Sequence, residues 1–190
     1  MSRARAFTLV ELLVTVGIIA LLAAIAIPNM LEAQVRSKVA RVKNDLRTLA
    51  TGLEAFHADN RAYPEVLPPP GEIELGGAWL LKPLTTPVAY LSSLPPDPFP
   101  PVEPEPLMPP EGRKTYHYTS SPIPPEPAKI WSVSSNGPDL LCDTWGIYKG
   151  WTPGLFYGGD PLLTDWALYD PTNGTISRGD IFRGQDFTMQ

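Results

Sequence analysis

The sequence predicts an α+β chain. One long N-terminal α-helix, membrane-spanning in its first half and amphipathic in its second, packs on a small antiparallel β-sheet head. Three observations carry this expectation. An apolar run from Phe7 to Ile27 contains a single charged residue, Glu11. Apolar residues then recur at alternating steps of four and three from Val35 to Phe56. Short β-rich stretches separated by proline, glycine and asparagine fill the distal part, from "TYHYTS" at Thr115 to "GDIFRG" ending at Gly184.

The apolar run is 21 residues long, and about 20 helical residues span a bilayer's hydrocarbon core. Arg3 and Arg5 precede it, and no Lys or Arg follows until Arg36. The positive-inside tendency therefore places the N-terminus in the cytoplasm and the remainder outside. An uncleaved signal anchor and a cleaved secretory signal both fit such a run. Ordinary signal cleavage is disfavoured because no small-x-small site followed by a mature-like start lies after the run, and because the helical pattern continues past it. Glu11 stands apart. An ionised carboxylate in lipid is costly and normally has a partner. No cation lies near it within the run, so it either snorkels to the membrane surface or meets an amine. A cut between Ala6 and Phe7 would create an amine four residues before it.

The second half of the helix follows from periodicity. Val35, Val39, Val42, Leu46, Leu49, Leu53 and Phe56 form a seven-residue repeat on one face. Arg36, Lys38, Arg41, Lys43, Asp45 and Arg47 occupy the other faces. Pro28 removes one backbone donor and bends or loosens the axis. The predicted helix runs from about Thr8 to about Ala58, near 50 residues and roughly 75 Å at 1.5 Å per residue. It stops at "DNRAYP", where the residue before Pro64 is pushed out of the helical region. Its distal stripe can pack on the head. Its proximal stripe needs other copies, in a coiled-coil dimer or in a filament of bundled helices.

Residues 64–127 hold 19 of the 24 prolines, so regular helices and central strands are excluded from most of this stretch. "LPPDPFPPVEPEPLMPPEGRK" reads as an extended surface loop, and "AWLLKPLTTPVAYL" as a short helix and a turn. Strands are expected at Thr115–Ser120 and Ala128–Ser135. A hairpin is expected from Trp166–Tyr169 to Thr175–Ser177, with a short edge strand in "GDIFRG". Three or four strands against the helix bury its distal stripe in two layers.

Charge and composition narrow the function. Residues 1–61 carry 8 basic and 5 acidic side chains, residues 62–190 carry 7 and 15, and the net is -5. An acidic distal part offers no nucleic-acid footprint, so no nucleic-acid partner is expected. Cys142, the only cysteine, cannot form an internal disulfide. His57 and His117 have no zinc-ligand spacing with Cys142, and no nucleophile context supports an enzyme. Trp131, Trp145, Tyr148, Trp151, Phe156 and Tyr157 read as core and loop packing, with a binding surface as the alternative. The turn-rich "SNGPDLLCD" places Asp139 and Asp143 where oxygen ligands for calcium are available, with solvated turn residues as the alternative. Asp160, Asp165, Asp170 and Asp180 follow in later loops.

The stretch "AFTLVELLVTVGIIALLAAIAIPNMLEAQVRSK" resembles the N-termini of type IV pilins and of the pseudopilins of type II secretion. The resemblance is strong over about the first 35 residues and looser beyond, where "ARVKNDLRTLATGLEAFHADNRAYP", "YLSSLPPDPF" and "WSVSSNGPD" are similar to major pseudopilins. It implies a type IV pilin-like fold with residues 1–6 as a cytoplasmic leader and 7–30 as a transmembrane and assembly helix. Residues 31–60 would continue as an amphipathic helix, and 61–190 would form the proline-rich loops and sheet head. It further implies that a prepilin peptidase cuts between Ala6 and Phe7 and methylates Phe7. Glu11 would meet a neighbour's terminal amine, and the helix would loosen near Pro28. The family usually has Gly where Ala6 stands. "WSVSSNGPD" is like the family's strand leading into a calcium-bearing loop, although the family's clustered carboxylates near the chain end have no counterpart here. The implied partners are copies of the same chain in a filament, the prepilin peptidase, minor pseudopilins and the inner-membrane secretion platform. The implied functions are a periplasmic filament for protein export or a surface pilus for adhesion, motility or DNA uptake. A membrane-anchored envelope binding module is the reading outside the family.

Overall fold

The computed structural model describes residues 7–65, 80–100, 115–121, 129–141, 169–170, 172, 177 and 179–185. The chain divides into two compact units, Met1–Ser37 and Lys38–Gln190. A single helix, α1, covers Leu9–Asn60, 52 residues.

In the first unit the apolar side chains of α1 lie open on every side, from Leu9 through Leu31. A helix that is apolar all round belongs in a bilayer or in contact with other helices. Among the described residues α1 is the one helix long and apolar enough to cross a membrane. Pro28 lies inside it, and α1 runs through Pro28 without interruption.

In the second unit the predicted stripe is buried, within limits the periodicity did not mark. Val39, Val42, Leu46, Leu49 and Leu53 are enclosed, joined by Ala50 and Gly52. Val35 and Phe56, at the two ends, are only partly covered. Gly52 is needed for close approach: a Cβ there would sit 2.8 Å from Cγ of Leu91. The helix stops two residues later than expected and by a different device. Arg61 turns left-handed, φ 57°, and its N–H donates to the carbonyl of His57 at 2.8 Å, while Asn60 Nδ2 donates to the carbonyl of Phe56 at 2.9 Å. The first satisfies one of the four carbonyls that the last turn leaves without a helical partner.

Three strands, β1 (His117–Ser121), β2 (Ile130–Ser135) and β3 (Ile181–Gly184), form an antiparallel sheet in the order β1-β2-β3. Tyr118 lies opposite Val133, and Ser135 opposite Ile181. With side chains alternating between faces, Tyr118, Val133 and Ile181 enter the core together with Tyr116 and Trp131. Polar tips are satisfied by the helix. The Tyr116 hydroxyl donates to Asp45 Oδ2 at 2.8 Å, and Trp131 Nε1 donates to Glu54 Oε1 at 2.9 Å. Tyr63 also donates to Glu54 and packs edge-on against Trp131. Burial, and then the bond to Asp45, hold the Tyr116 phenol protonated far above its usual range.

One expectation is corrected. The stretch around "PPDPFP" is not a surface loop: Phe99 and Asp97 are 3% and 7% exposed. Pro96 bridges to Thr115, and Lys38 Nζ sits 5.7 Å from the Phe99 ring centroid. Proline excludes regular strands, but it does not prevent a neighbouring aromatic ring from filling the core. The expected hairpin falls mostly outside the described residues. Trp166–Leu168 and 173–176 lie outside the described residues, and Tyr169 and Ser177 are not in strands. Tyr169 donates its N–H to the carbonyl of Asp180 at 3.1 Å, and Ser177 Oγ accepts from the N–H of Asp170 at 3.0 Å. The expected short helix appears as Leu80–Leu81 leading into a 3₁₀ turn, Lys82–Leu84, with Leu81 and Leu84 fully buried.

Candidate assembly site at the start of the helix

Thr8 precedes the first helical residue and Glu11 sits three positions on, the spacing of a capping box. The backbone N–H and the hydroxyl of Thr8 both donate to Glu11 Oε2, at 2.9 and 2.8 Å. The N–H of Glu11 returns a bond to Thr8 Oγ1 at 3.2 Å. The carboxylate therefore has a local partner that is a hydrogen-bond donor and not a cation. The signal was present in the sequence as Thr-x-x-Glu before an apolar run. Both bonds end on one carboxylate oxygen, and among the described residues no donor reaches the other. Thr15 Oγ1 donates back to the carbonyls of Glu11 and Leu12, at 2.9 and 2.8 Å, so no hydroxyl in this turn is left without a partner.

The surroundings are apolar and open. Phe7 is 74% exposed and Leu12 and Leu13 flank the carboxylate with most of their surface uncovered. In lipid or among packed helices these surfaces would exclude water from Glu11, and the value of a counter-charge would rise accordingly. Ala6, the other side of the expected cut, lies outside the described residues.

The proposed calcium residues are placed less fully. Asp139 lies in the turn after β2, and its Oδ1 accepts from the N–H of Leu141 at 3.2 Å. Asp143 and Asp165 lie outside the described residues. Asp170 holds Thr172 through two bonds from one oxygen, at 2.8 Å from the N–H and 2.7 Å from the hydroxyl. Asp180 is fully buried. Among the described residues no three His, Cys, Asp or Glu side chains gather in a metal-holding group. Gly137 and Leu140 are left-handed, φ 72° and 62°, and a Cβ on Gly137 would meet the carbonyl oxygen of Gly179 at 2.7 Å. The loop after β2 is thus curled and held against the segment entering β3. His57 stacks on Tyr63 at 4.4 Å between ring centroids. His117 is buried with Nε2 2.9 Å from Asn136 Oδ1, and burial pulls its pKa down despite that bond.

Comparison with known proteins follows the same division of the chain. Residues 1–27 match the family model described as the prokaryotic N-terminal methylation motif. The type IV major pilin protein PilA of Myxococcus xanthus (strain DK1622) is 46% identical over 61 residues, 32% of this chain and 28% of that protein. The type II secretion system core protein G of Pseudomonas aeruginosa is 38% identical over 58 residues, 30% of this chain and 41% of that protein. The core protein G of Klebsiella michiganensis is 30% identical over 103 residues, 50% of this chain and 68% of that protein. The chain belongs to the type IV pilin and type II secretion pseudopilin family. No solved structure matches significantly. This pilin-like chain spans well under half the length of the first two relatives, in a stretch where surface pilins and secretion pseudopilins are alike. Its long helix against a three-stranded antiparallel sheet is the architecture that the resemblance implied.

Proposed function

We propose that this chain is a structural pseudopilin of a type II secretion system, polymerising through its N-terminal helix into a periplasmic filament that supports protein export. The observation that carries this is the open apolar half of α1 headed by a carboxylate whose second oxygen meets no donor among the described residues. Such a surface is stable in a membrane and, after extraction, only against other copies of itself. The match to core protein G, which runs past the helix, favours secretion. The match to PilA favours a surface pilus subunit as the second reading. Deletion of the gene separates them. Exported proteins should be retained in the periplasm while surface pili persist; lost pili with intact export would overturn the secretion reading.

In this reading a prepilin peptidase cuts between Ala6 and Phe7 on the cytoplasmic side, where Arg3 and Arg5 hold the leader. Minor pseudopilins and an inner-membrane platform guide assembly, and the head lies in the periplasm. Thr8 and Glu11 stay within the mature chain, so the capping box survives the cut. Mass spectrometry of the membrane-extracted protein is expected to find Phe7 as the first residue, carrying one methyl group. A protein that still begins at Met1 or Ser2 in cells with active peptidase would refute the processing step.

Calcium is proposed to steady the loop after β2 through Asp139 and Asp143. The left-handed turns at Gly137 and Leu140 curl this backbone, and calcium accepts carboxylate and backbone oxygens in such loops. Binding to the folded state alone raises stability by mass action. At a calcium concentration about 100 times the Kd the gain is about 2.7 kcal/mol, several degrees in Tm. The detergent-solubilised protein should melt higher with calcium than with chelator, and Asp139→Ala with Asp143→Ala should abolish the difference. A wild-type Tm indifferent to millimolar calcium would remove the site.

A further inference from the structure

Between Pro95 and Pro101 only Asp97 and Phe99 have a backbone N–H, because the other residues are prolines. A ladder of backbone bonds cannot hold such a stretch, so side chains must. Pro96 bridges to Thr115, which brings together the two ends of residues 97–114. Beside this bridge Asp97 is buried, and its Oδ1 accepts from the N–H of Phe99 and from the hydroxyl of Ser135 on β2, both at 2.8 Å. Phe99 is buried too, with Lys38 Nζ over its ring. The charged groups around Asp97 do not compensate it. On α1, Asp45 opposes its ionisation, Arg41 is bound to Asp45 at 3.5 Å, and Lys38 is engaged by Phe99. Tyr116, before β1, donates to Asp45 and stays protonated. β2 offers the neutral Ser135, and β3 places Ile181 opposite it, with the buried Asp180 next in the chain. Among the described residues no Lys, Arg or His forms an ion pair with Asp97.

We infer that Asp97 is a proton-gated latch: protonated, it closes the base of the proline-rich stretch on β2, and ionised, it drives Pro96–Phe99 out of the head. A carboxylate taken out of water must be paired or give up its charge. Here two donors share one oxygen and an acid stands nearby, so opening returns the charge to water. Opening also takes Phe99 out of the core and releases Lys38 and the Ser135 hydroxyl. The device belongs to the head and is the same in either kind of filament. Burial pushes the Asp97 pKa up to about 6, against about 3.9 for an exposed Asp. The value is raised in the closed state, so protons favour closure. Opening therefore grows as pH rises from about 4 to about 6 and is constant above. A difference of about two units makes this growth up to about a hundredfold. His117 acts with the opposite sign, because burial lowers its pKa and its protonation at low pH opposes folding. It also alternates to the sheet face away from Tyr116 and Tyr118.

The test is amide hydrogen exchange of the full-length, detergent-solubilised protein at about pH 4.5 and about pH 7, corrected for the intrinsic pH dependence of exchange. The peptide covering Pro95–Pro100 reports Asp97 and Phe99 alone, since its other residues are prolines. Leu49, buried in α1, reports opening of the whole head. In wild type, protection at Asp97 and Phe99 should fall at least about tenfold from the lower to the higher pH. It should also lie at least about tenfold below that of Leu49 at the higher pH, as a local opening requires. Asp97→Asn keeps the accepting oxygen and cannot ionise, so its protection should be the same at both pH values. Wild-type protection that does not change with pH overturns the latch. Protection equal to that of Leu49 also overturns it, because the segment then opens only with the whole head. A loss that persists in Asp97→Asn assigns the titration to another acid, such as Asp180, and overturns it as well.

Discussion

Glu11→Gln is expected to leave the protein in the membrane and to reduce its incorporation into filaments about a hundredfold. The amide keeps the size of the side chain and an oxygen that can accept from Thr8, so the helix start survives. What disappears is the charge that would meet a neighbour's terminal amine. Removing one partner of a buried ion pair costs about 3–5 kcal/mol, because the other charge is left desolvated and alone. The lower bound corresponds to about two powers of ten in association. Glu11→Ala should be no better, since it also removes the acceptor for the Thr8 N–H and hydroxyl. The measurement is the ratio of sheared filament to membrane-retained subunit in cells carrying either variant. Equal ratios for Glu11→Gln and wild type would show that the carboxylate acts only as a helix cap.

Asp97→Asn is expected to stabilise the head at neutral pH and to have no effect near pH 4. Asp97 lies in the core, where its Oδ1 accepts from the N–H of Phe99 and the hydroxyl of Ser135, both at 2.8 Å. Burial pushes its pKa up to about 6, helped by the nearby charge of Asp45 and opposed by the two bonds. An unfolded Asp titrates near 3.9. Below about pH 4 both states are protonated and the group costs nothing. Between about pH 4 and 6 the unfolded chain releases its proton first, so stability falls as pH rises. Above about pH 6 the loss is constant, at up to roughly 3 kcal/mol from 1.36 kcal/mol per pKa unit. Asparagine retains the accepting oxygen and cannot ionise. The check is urea unfolding of the detergent-solubilised protein and its variant at pH 4 and pH 7, because the difference between them cancels the other titrating groups. A variant no more stable than wild type at pH 7 would mean that the ionised carboxylate is better solvated than its burial implies.

The amino-acid sequence by itself determined the long helix, its two-part character and the identity of Glu11 as the residue to explain. These are local properties. Hydrophobic spacing of three and four places one face of a helix inward whatever the rest of the chain does, and a carboxylate in an apolar run is conspicuous without any fold. The strands around Trp131 and Ile181 were legible for the same reason, and the Thr8 cap is written as Thr-x-x-Glu before an apolar run. The tertiary structure alone decided where the stripe becomes buried, at Val39 and not at Val35. It also decided that Phe99 enters the core from a proline-rich stretch, and that Asp45 and Glu54 receive Tyr116 and Trp131 from 71 and 77 residues away. Contacts of that separation depend on closing long loops, and no periodicity in the sequence encodes which acid on a helix a distant aromatic side chain will reach. Burial then gives those pairs their energetic weight, because a polar tip taken out of water must find its partner wherever the fold has placed one.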